Sequence, residues 1–162
     1  MLDMAPRIDL TGAAAVTRGL RRMFARHQLF LLPEVPLRNG RRADGMGLDA
    51  KGQVVIVEIK CSRADLLGDQ KWRDYLDFCD RFYWAVPPEM DEALLAREGF
   101  EPERTGLIVA DAYDAAIVRQ AVSVPLAAAR RKKETERLAR IAMRRHTQMQ
   151  DPEIAWGVEP SD

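Results

Sequence analysis

The pattern of hydrophobic residues along this chain changes from helical spacing to short apolar runs and back to helical spacing. Between residues 11 and 27, Val16, Leu20 and Phe24 recur at intervals of four, which predicts an amphipathic helix with a basic outer side. Thr11 lies where the N-cap of this helix is expected. A second helix, rich in Lys and Arg, is predicted from Pro125 to about Met149.

Short apolar segments between these helices predict six strands. They are residues 29–37, 42–48, 53–60, 82–86, 106–110 and 115–119. Pro33 and Pro36 lack backbone donors, which favours an edge position or a bulge for the first strand. The third strand, QVVIVEIK, is apolar on both faces until its end, which is typical of a central strand covered on both sides.

Two further helices are predicted between the strands. Ser62 as N-cap, with Asp65 three residues later, begins a helix that runs to Cys79. Residues 89–98 form a second helix after a pair of prolines. This order of elements predicts an α/β fold in which helices flank a mixed central sheet. Residues 1–150 are expected to form one domain, and residues 151–162 a flexible tail.

The loop between the second and third strands determines which of their residues are paired. A three-residue loop, residues 50–52 with Gly52 at a positive φ angle, places Asp44 opposite Glu58. A four-residue loop places Asp44 opposite Val57 instead. With the shorter loop, the Cβ atoms of the two acidic residues lie about 4.5 to 5.5 Å apart. Lys60, two residues after Glu58, then lies on the same face.

This arrangement of Asp44, Glu58 and Lys60 predicts a metal site for phosphodiester hydrolysis. Two neighbouring carboxylates repel each other unless a positive charge is present, and a divalent cation supplies one. Mg²⁺ prefers oxygen ligands, and the carbonyl of Ile59 is a third candidate ligand. Such an ion activates water and polarises a phosphoryl oxygen. Lys60 is the candidate for orienting the water or offsetting charge on phosphorus. The alternative is a structural cluster of salt bridges.

Asp44 followed by Glu58-Ile59-Lys60 at the end of an apolar strand resembles the D-x(n)-(D/E)-x-K signature of the PD-(D/E)XK nuclease superfamily, with Ala43 in the proline position. The segments RRADGMGLD and VVIVEIKCSRADLLGDQKWRDYLDFCDRFYWAVP are similar to the MmcB family of bacterial DNA-repair endonucleases, over about residues 11–145. The resemblance implies a restriction-endonuclease-like fold, a nuclease core dependent on Mg²⁺ or Mn²⁺, and a role in the response to DNA damage.

The resemblance also implies further site residues. Lys71 and Tyr75 are similar to the Q-x-x-x-Y helix motif of RecB-type nucleases, with Lys in place of Gln, and are candidate catalytic residues. The alternative is that Tyr75 packs in the core while Lys71 extends over the surface. Glu34 is a candidate metal ligand, since superfamily members often hold an additional acidic ligand there, or else an exposed edge residue. For Asp69, a solvated helix face is favoured over a place in the site.

The 25 basic and 25 acidic residues cancel, but they are unevenly distributed. Residues 130–146 contain eight basic and two acidic residues, a net charge of +6. Such a face suits the phosphates of DNA, and it is equally typical of a solvated helix. The candidate DNA-binding residues are Arg41, Arg42, Arg130, Arg131, Lys132 and Lys133.

Other classes of protein are excluded or disfavoured. No apolar run approaches the roughly 18 residues of a membrane-spanning helix. Cys61 and Cys79 are isolated, which disfavours disulfides and thiolate zinc sites. We expect a cytoplasmic protein that joins the nucleoid when it acts. The predicted function is a metal-dependent DNA endonuclease of DNA repair; the alternative is a catalytically inactive, nuclease-fold DNA-binding or repair-accessory module. DNA is the predicted partner, and a homodimer or other repair proteins are left open.

Overall fold

The computed structural model describes residues 10–154, which form one six-stranded sheet with helices on both faces. The helices are α1 (Gly12–Arg26), α2 (Arg63–Gly68) and α3 (Ala128–Gln150). The strands are β1 (Phe30–Pro36), β2 (Arg42–Leu48), β3 (Val54–Ile59), β4 (Arg81–Val86), β5 (Gly106–Ala110) and β6 (Ala115–Arg119). Three 3-10 helices, Trp72–Phe78, Glu92–Ala96 and Glu98–Phe100, lie between them. Most of the predicted tail, residues 155–162, is outside the described part of the chain.

The strands lie in chain order across the sheet, β1 to β6. β3, β4 and β5 run parallel to one another, and the other neighbouring pairs are antiparallel. The predicted mixed sheet flanked by helices and the basic C-terminal helix are therefore confirmed. β1 is at the edge, as its prolines predict, and every residue of β3 is buried.

The hairpin between β2 and β3 has the three-residue loop. Asp49 donates its backbone N–H to the carbonyl of Gln53, and Gly52 has a φ angle of +76°. Gly45 is consequently paired with Val57, and the next residues toward the end of the sheet are Asp44 and Glu58. The pairing that places the two acidic residues opposite each other is confirmed.

Two hydrophobic layers hold the helices on the sheet. α1 packs Leu20 and Phe24 against one face, in a cluster that contains Val55 and Val57. The aromatic 3-10 helix and α3 cover the other face, where Ile56 is buried. Because successive side chains of a strand point to opposite faces, β3 contributes to both layers. Among residues 10–154, no helix is long and apolar enough to span a membrane.

The prediction of one continuous helix from Ser62 to Cys79 is wrong, because the helix is interrupted in the middle of this range. Ser62 does cap α2, accepting a hydrogen bond from the N–H of Asp65 at 3.1 Å, but the helix ends at Gly68. The chain continues as the 3-10 helix Trp72–Phe78, whose aromatic residues at every third position are buried. Since side chains three residues apart are eclipsed in a 3-10 helix, this geometry directs all of them toward the core.

Two other predicted helices differ from the structure in extent. The segment 89–98 contains only short 3-10 turns, and the side chain of Asp91 caps the first by accepting the N–H of Ala93. α3 begins at Ala128 rather than at Pro125. The preceding segment is held extended, because Asp80 accepts backbone N–H groups from Val124 and Leu126.

Candidate functional site

The carboxylates of Asp44 and Glu58 each accept a backbone hydrogen bond from the strand of the other residue. Glu58 Oε1 accepts the backbone N–H of Asp44 at 3.1 Å, and Asp44 Oδ2 accepts the N–H of Ile59 at 2.8 Å. These bonds continue the hairpin where backbone pairing ends, at Gly45 and Val57. Each carboxylate therefore keeps one oxygen that accepts no backbone hydrogen bond from residues 10–154.

Burial makes this pair of acids difficult to ionise. Glu58 is 3% exposed, and burial raises its pKa to about 8, with a further increase from the negative charge of Asp44. Burial also raises the pKa of Asp44, although the N–H of Ile59 and the charge of Lys60 oppose that shift. A cation close to both carboxylates would stabilise their charged forms.

Lys60 brings a positive charge to the acidic pair. Its Nζ lies 2.8 Å from Asp69 Oδ2, 3.8 Å from Asp65 Oδ1 and 4.0 Å from Glu58 Oε2. Burial alone lowers the pKa of Lys60, but the hydrogen bond and charge of Asp69, with the other carboxylates, outweigh burial and raise it. The side chain is thus a charged ammonium, only 7% exposed as a residue and fixed among carboxylates.

Asp69 is the site residue that the sequence interpretation underestimated. Its carboxylate binds Lys60 through one oxygen, and the other oxygen accepts the backbone N–H of Lys71 at 3.2 Å. Asp69 is the C-cap of α2, in extended conformation, so the break in the expected helix is what places it there. The sequence signal was the dipeptide Gly68-Asp69, since both residue types favour turns.

Tyr75 and Lys71 do not share a helix face, which corrects the interpretation as a helix motif. Residues four apart in a 3-10 helix lie about 120° apart around its axis. Tyr75 is buried, and its hydroxyl donates to the carbonyl oxygen of Arg42 at 3.0 Å. Burial, with the nearby charge of Glu58, raises the pKa of Tyr75, so the hydroxyl is a neutral donor. Lys71 is exposed at the start of the 3-10 helix, and its catalytic role stays a prediction.

Glu34 lies on the edge strand β1 and near the surface. Glu34 has a φ angle of +50°, and its carboxylate lies 3.5 Å from Arg42 with 67% of the side chain exposed. These features match the exposed-edge alternative, and a role of Glu34 as a metal ligand stays a prediction. Arg41 is paired with Asp74 at 3.1 Å, also near the surface. Because exposed ion pairs contribute little, Arg41 and Arg42 can exchange these partners for phosphate at small cost.

Arg131 has a structural partner in the core. Its two terminal nitrogens lie 2.6 and 2.5 Å from the carboxylate oxygens of Asp80, and one of them also donates to the carbonyl of Gly52. Burial would raise the pKa of Asp80, but hydrogen bonds from Arg131 and from the N–H groups of Leu126 and Val54 outweigh it and lower the pKa. Arg131 therefore anchors α3 to the sheet, and its part in DNA binding stays a prediction.

The other candidate basic residues of α3 are more open. Arg130 lies over the ring of Phe78, with 5.0 Å from its guanidinium carbon to the ring centroid. The side chain of Lys132 is 77% exposed, and its distance from Glu136, 3.9 Å, is long for an ion pair. Lys133 is also exposed. Long exposed lysines of this kind are free to meet phosphates without a structural penalty.

The residues present fit a divalent metal that keeps much of its water. Within residues 10–154, no group of three or more His, Cys, Asp or Glu is arranged to hold a metal ion. Asp44 and Glu58 nevertheless offer two carboxylates, and Mg²⁺ is commonly bound by one or two carboxylates together with waters and substrate phosphate. Their buried, mutually repelling charges are the feature that suits a cation. The carbonyl of Ile59 as a further ligand stays a prediction.

The fold and the site together define a mixed α/β protein with a buried acidic pair and a lysine at the carboxyl end of its central strand. The chain belongs to the MmcB-like family of DNA repair proteins, since the family model described as DNA repair protein MmcB-like matches residues 6–153. The resemblance seen in the sequence is thereby confirmed. No curated protein matches the chain.

Two solved structures are similar. A protein of unknown function from Silicibacter pomeroyi is 42% identical, with a TM-score of 0.82, and the match covers 94% of this chain and 99% of that one. A repair endonuclease from Pyrococcus abyssi is 22% identical, with a TM-score of 0.36, over 55% of this chain and 40% of that one. The second likeness is too weak to support an argument.

Proposed function

We propose that this protein is a metal-dependent DNA endonuclease of the PD-(D/E)XK superfamily that acts in DNA repair. The observation that carries the proposal is the buried pair Asp44 and Glu58 with the ammonium of Lys60 at 4.0 Å from Glu58. Uncompensated buried charges are costly, so such a cluster favours a functional role. Membership of a DNA repair family supports DNA as the substrate.

Each residue of the cluster has a distinct proposed role. Asp44 and Glu58 would hold Mg²⁺ or Mn²⁺ through the oxygens that are not bonded to backbone. The ion, when bound, supplies Lewis acidity and a water of lowered pKa. Lys60 orients the attacking water and offsets negative charge that develops on the phosphate oxygens. Asp69 holds the ammonium of Lys60 in place.

The DNA backbone is proposed to contact basic residues at two places. Arg41 and Arg42 precede Asp44 in the chain by three and two residues. Arg130, Lys132 and Lys133 lie at the start of α3, which Arg131 anchors beside Gly52 and Asp80, at the opposite end of β3 from Glu58. Contacts of this type position DNA without reading its sequence. A homodimer, contacts with other repair proteins and a cytoplasmic location at the nucleoid stay predictions.

A non-catalytic DNA-binding or repair-accessory module is the second candidate. One observation favours it: the groups of the cluster already satisfy one another, since Glu58 and Asp44 accept backbone N–H groups and Lys60 is bonded to Asp69. Such a module would bind DNA with strong salt dependence. It would not depend on Lys60.

The test is cleavage of labelled single-stranded, duplex and branched DNA in Mg²⁺, Mn²⁺ or EDTA. The wild type is compared with Lys60→Ala and Asp44→Asn, and with Lys51→Ala, an exposed lysine in the turn after β2, as the control for removing a lysine. Cleavage that is lost in EDTA and in both site variants, but kept in the control, supports the nuclease. Circular dichroism checks that each variant is folded.

The second candidate predicts a different result. No DNA is cleaved in any metal, binding weakens as salt increases, and Lys60→Ala binds as the wild type does. Neutralising Lys132 and Lys133 together then lowers the affinity. That combination would overturn the nuclease proposal.

A further inference from the structure

A groove lies between α1 and the first two strands and opens beside the acidic pair. Its lining includes Thr17 and Arg21 from α1, Leu31 and Pro33 from β1, and Asp44 and Ile59 from the site. The groove is shallow, with room for about one water molecule, so a ligand would lie across its opening rather than inside it.

Helix α1 has four arginines and no acidic residue, and three of the arginines face the turn between β5 and β6. Arg18 donates to the carbonyl of Ala112, and Arg26 lies 2.5 Å from Asp114. The charge of Arg22 also acts on Asp114 and lowers its pKa, after the hydrogen bonds from Arg26 and Ala115. Because residues four apart in a helix share a side, these arginines form one row.

Arg21 belongs to a different side of the helix. It follows Thr17 by four residues, and both line the groove. Arg21 is exposed, and no hydrogen bond or ion pair joins its guanidinium to another residue in the range 10–154. The structure thus gives the other three arginines an intramolecular role and gives none to Arg21.

The acidic residues at the end of the groove repel a phosphate group, and a cation such as Arg21 would offset this repulsion. Asp44, Glu58, Asp65 and Asp69 surround a single lysine, Lys60. A phosphodiester that approaches Asp44 along the groove meets an excess of negative charge. A guanidinium on the wall of the groove offsets this repulsion, and its planar fork can bind two phosphate oxygens at once.

We propose that Arg21 binds the phosphodiester backbone of a DNA strand that lies over the groove beside Asp44. The proposal rests on the proposed function for its substrate, and it adds α1 to the DNA-binding surface. Arg21 is a substrate-binding residue in this view. It acts at the phosphate next to the acidic pair, without contact to the bases.

The test is the salt dependence of DNA binding, measured by fluorescence anisotropy with labelled single-stranded and duplex oligonucleotides. Ca²⁺ replaces Mg²⁺, since it accepts the same oxygen ligands, and a gel verifies that the probe stays intact. Arg21→Gln is compared with the wild type, with Arg21→Lys, and with Arg22→Gln as the matched control one residue away. Thermal unfolding of all variants is expected to stay close to that of the wild type, because Arg21 has no partner among residues 10–154 and exposed Arg22 acts on Asp114 only through its charge.

Loss of one phosphate contact lowers the slope of log affinity against log salt by about 0.9 for duplex and about 0.7 for single strands. For duplex, the advantage of the wild type over Arg21→Gln then shrinks about 3.5-fold between 50 and 200 mM salt. Arg21→Lys keeps the wild-type slope, and so does Arg22→Gln.

Three results would overturn the inference. An unchanged slope in Arg21→Gln, with binding and cleavage intact, rejects the role of Arg21 and leaves the nuclease proposal standing. Equal losses in Arg21→Gln and Arg22→Gln show that the overall charge of α1 acts, rather than a contact in the groove. If the wild type has no salt-sensitive DNA binding, both the inference and the proposed function fail.

Discussion

Glu58 accepts the backbone N–H of Asp44 at 3.1 Å, so a buried carboxylate on β3 closes the end of β2. In turn, the carboxylate of Asp44, on β2, accepts the backbone N–H of Ile59, on β3, at 2.8 Å. The hairpin therefore ends in two side chains that can gain or lose protons. The hydrogen bonds at the end of this hairpin therefore depend on the protonation of Asp44 and Glu58, the residues of the proposed metal site.

The first prediction is that stability falls as pH rises, in the absence of metal. The pKa of Glu58 is raised from 4.5 to about 8, so the folded state binds this proton more tightly than the unfolded state does. The stabilisation is fully present below pH 4.5 and is lost as the pH rises through about 8. Urea unfolding in EDTA across this range measures it.

Glu58→Gln is the control for that pH dependence. The variant keeps the shape of the side chain without the titrating proton, so we expect most of the decline in unfolding free energy to disappear. A decline as steep as that of the wild type would assign the effect to other groups. Added Mg²⁺ is expected to flatten the wild-type curve, because it stabilises the ionised pair.

The second prediction concerns Asp69, which positions Lys60. Asp69→Asn weakens a charged hydrogen bond of 2.8 Å, and we expect a stability loss of about 1 to 3 kcal/mol. We also expect kcat to fall by up to about a hundredfold with little change in KM, since misplacing a reacting group mainly affects the chemical step. Steady-state cleavage kinetics and denaturant unfolding measure the two effects.

Asp65→Asn is the matched control for Asp69. Its carboxylate is half exposed and lies 3.8 Å from the same ammonium, so the expected cost is below about 1 kcal/mol and cleavage is nearly unchanged. Similar kinetics for the two variants would mean that Asp69 has no special part in holding Lys60. Recovery of activity in Asp69→Glu would support the positioning role.

The third prediction separates Arg131 from the exposed basic residues of α3. Arg131→Met leaves Asp80, which is 2% exposed, as a buried charge without its ionic partner, and such losses cost about 3 to 5 kcal/mol. Lys132→Met changes stability by less than about 0.5 kcal/mol. The midpoints of urea unfolding compare the variants, and equal midpoints would contradict the anchoring role.

The fourth prediction is that Tyr75 supports the fold rather than the reaction. Its hydroxyl donates to the carbonyl of Arg42, so Tyr75→Phe is expected to lower stability by about 0.5 to 1.5 kcal/mol. Cleavage by the folded variant is expected to stay within a few-fold of the wild type. If a folded Tyr75→Phe protein no longer cleaves DNA, the hydroxyl of Tyr75 has a catalytic role.

The sequence predicted the strands and the acidic pair because both depend on local features. Strand periodicity and the three-residue loop at Gly52 set the pairing of β2 with β3, and that pairing is sufficient to place Asp44 next to Glu58. The edge position of β1 followed from Pro33 and Pro36, since neither residue can donate a backbone hydrogen bond.

The 3-10 helix has a signature in the sequence. Trp72, Tyr75 and Phe78 recur at every third position, which fits three residues per turn better than it fits an α-helix. The break before it, at Asp69, depends on a partner outside the helix. Helix propensity depends only on nearby residues, so it does not reflect the ion pair with Lys60 that holds Asp69 at the site.

The sequence by itself thus predicted the mixed sheet and two possible pairings of the hairpin, because periodicity and turn residues act over a few positions. The structure selected the three-residue loop, and with it the acidic pair. Only the tertiary structure decided which charged side chains serve the fold and which remain open to a ligand. Arg131 and Arg21 look alike in the sequence, but one is fixed by Asp80, 51 positions earlier, and the other faces a groove. Such partners are selected by packing of distant segments, which no local pattern records.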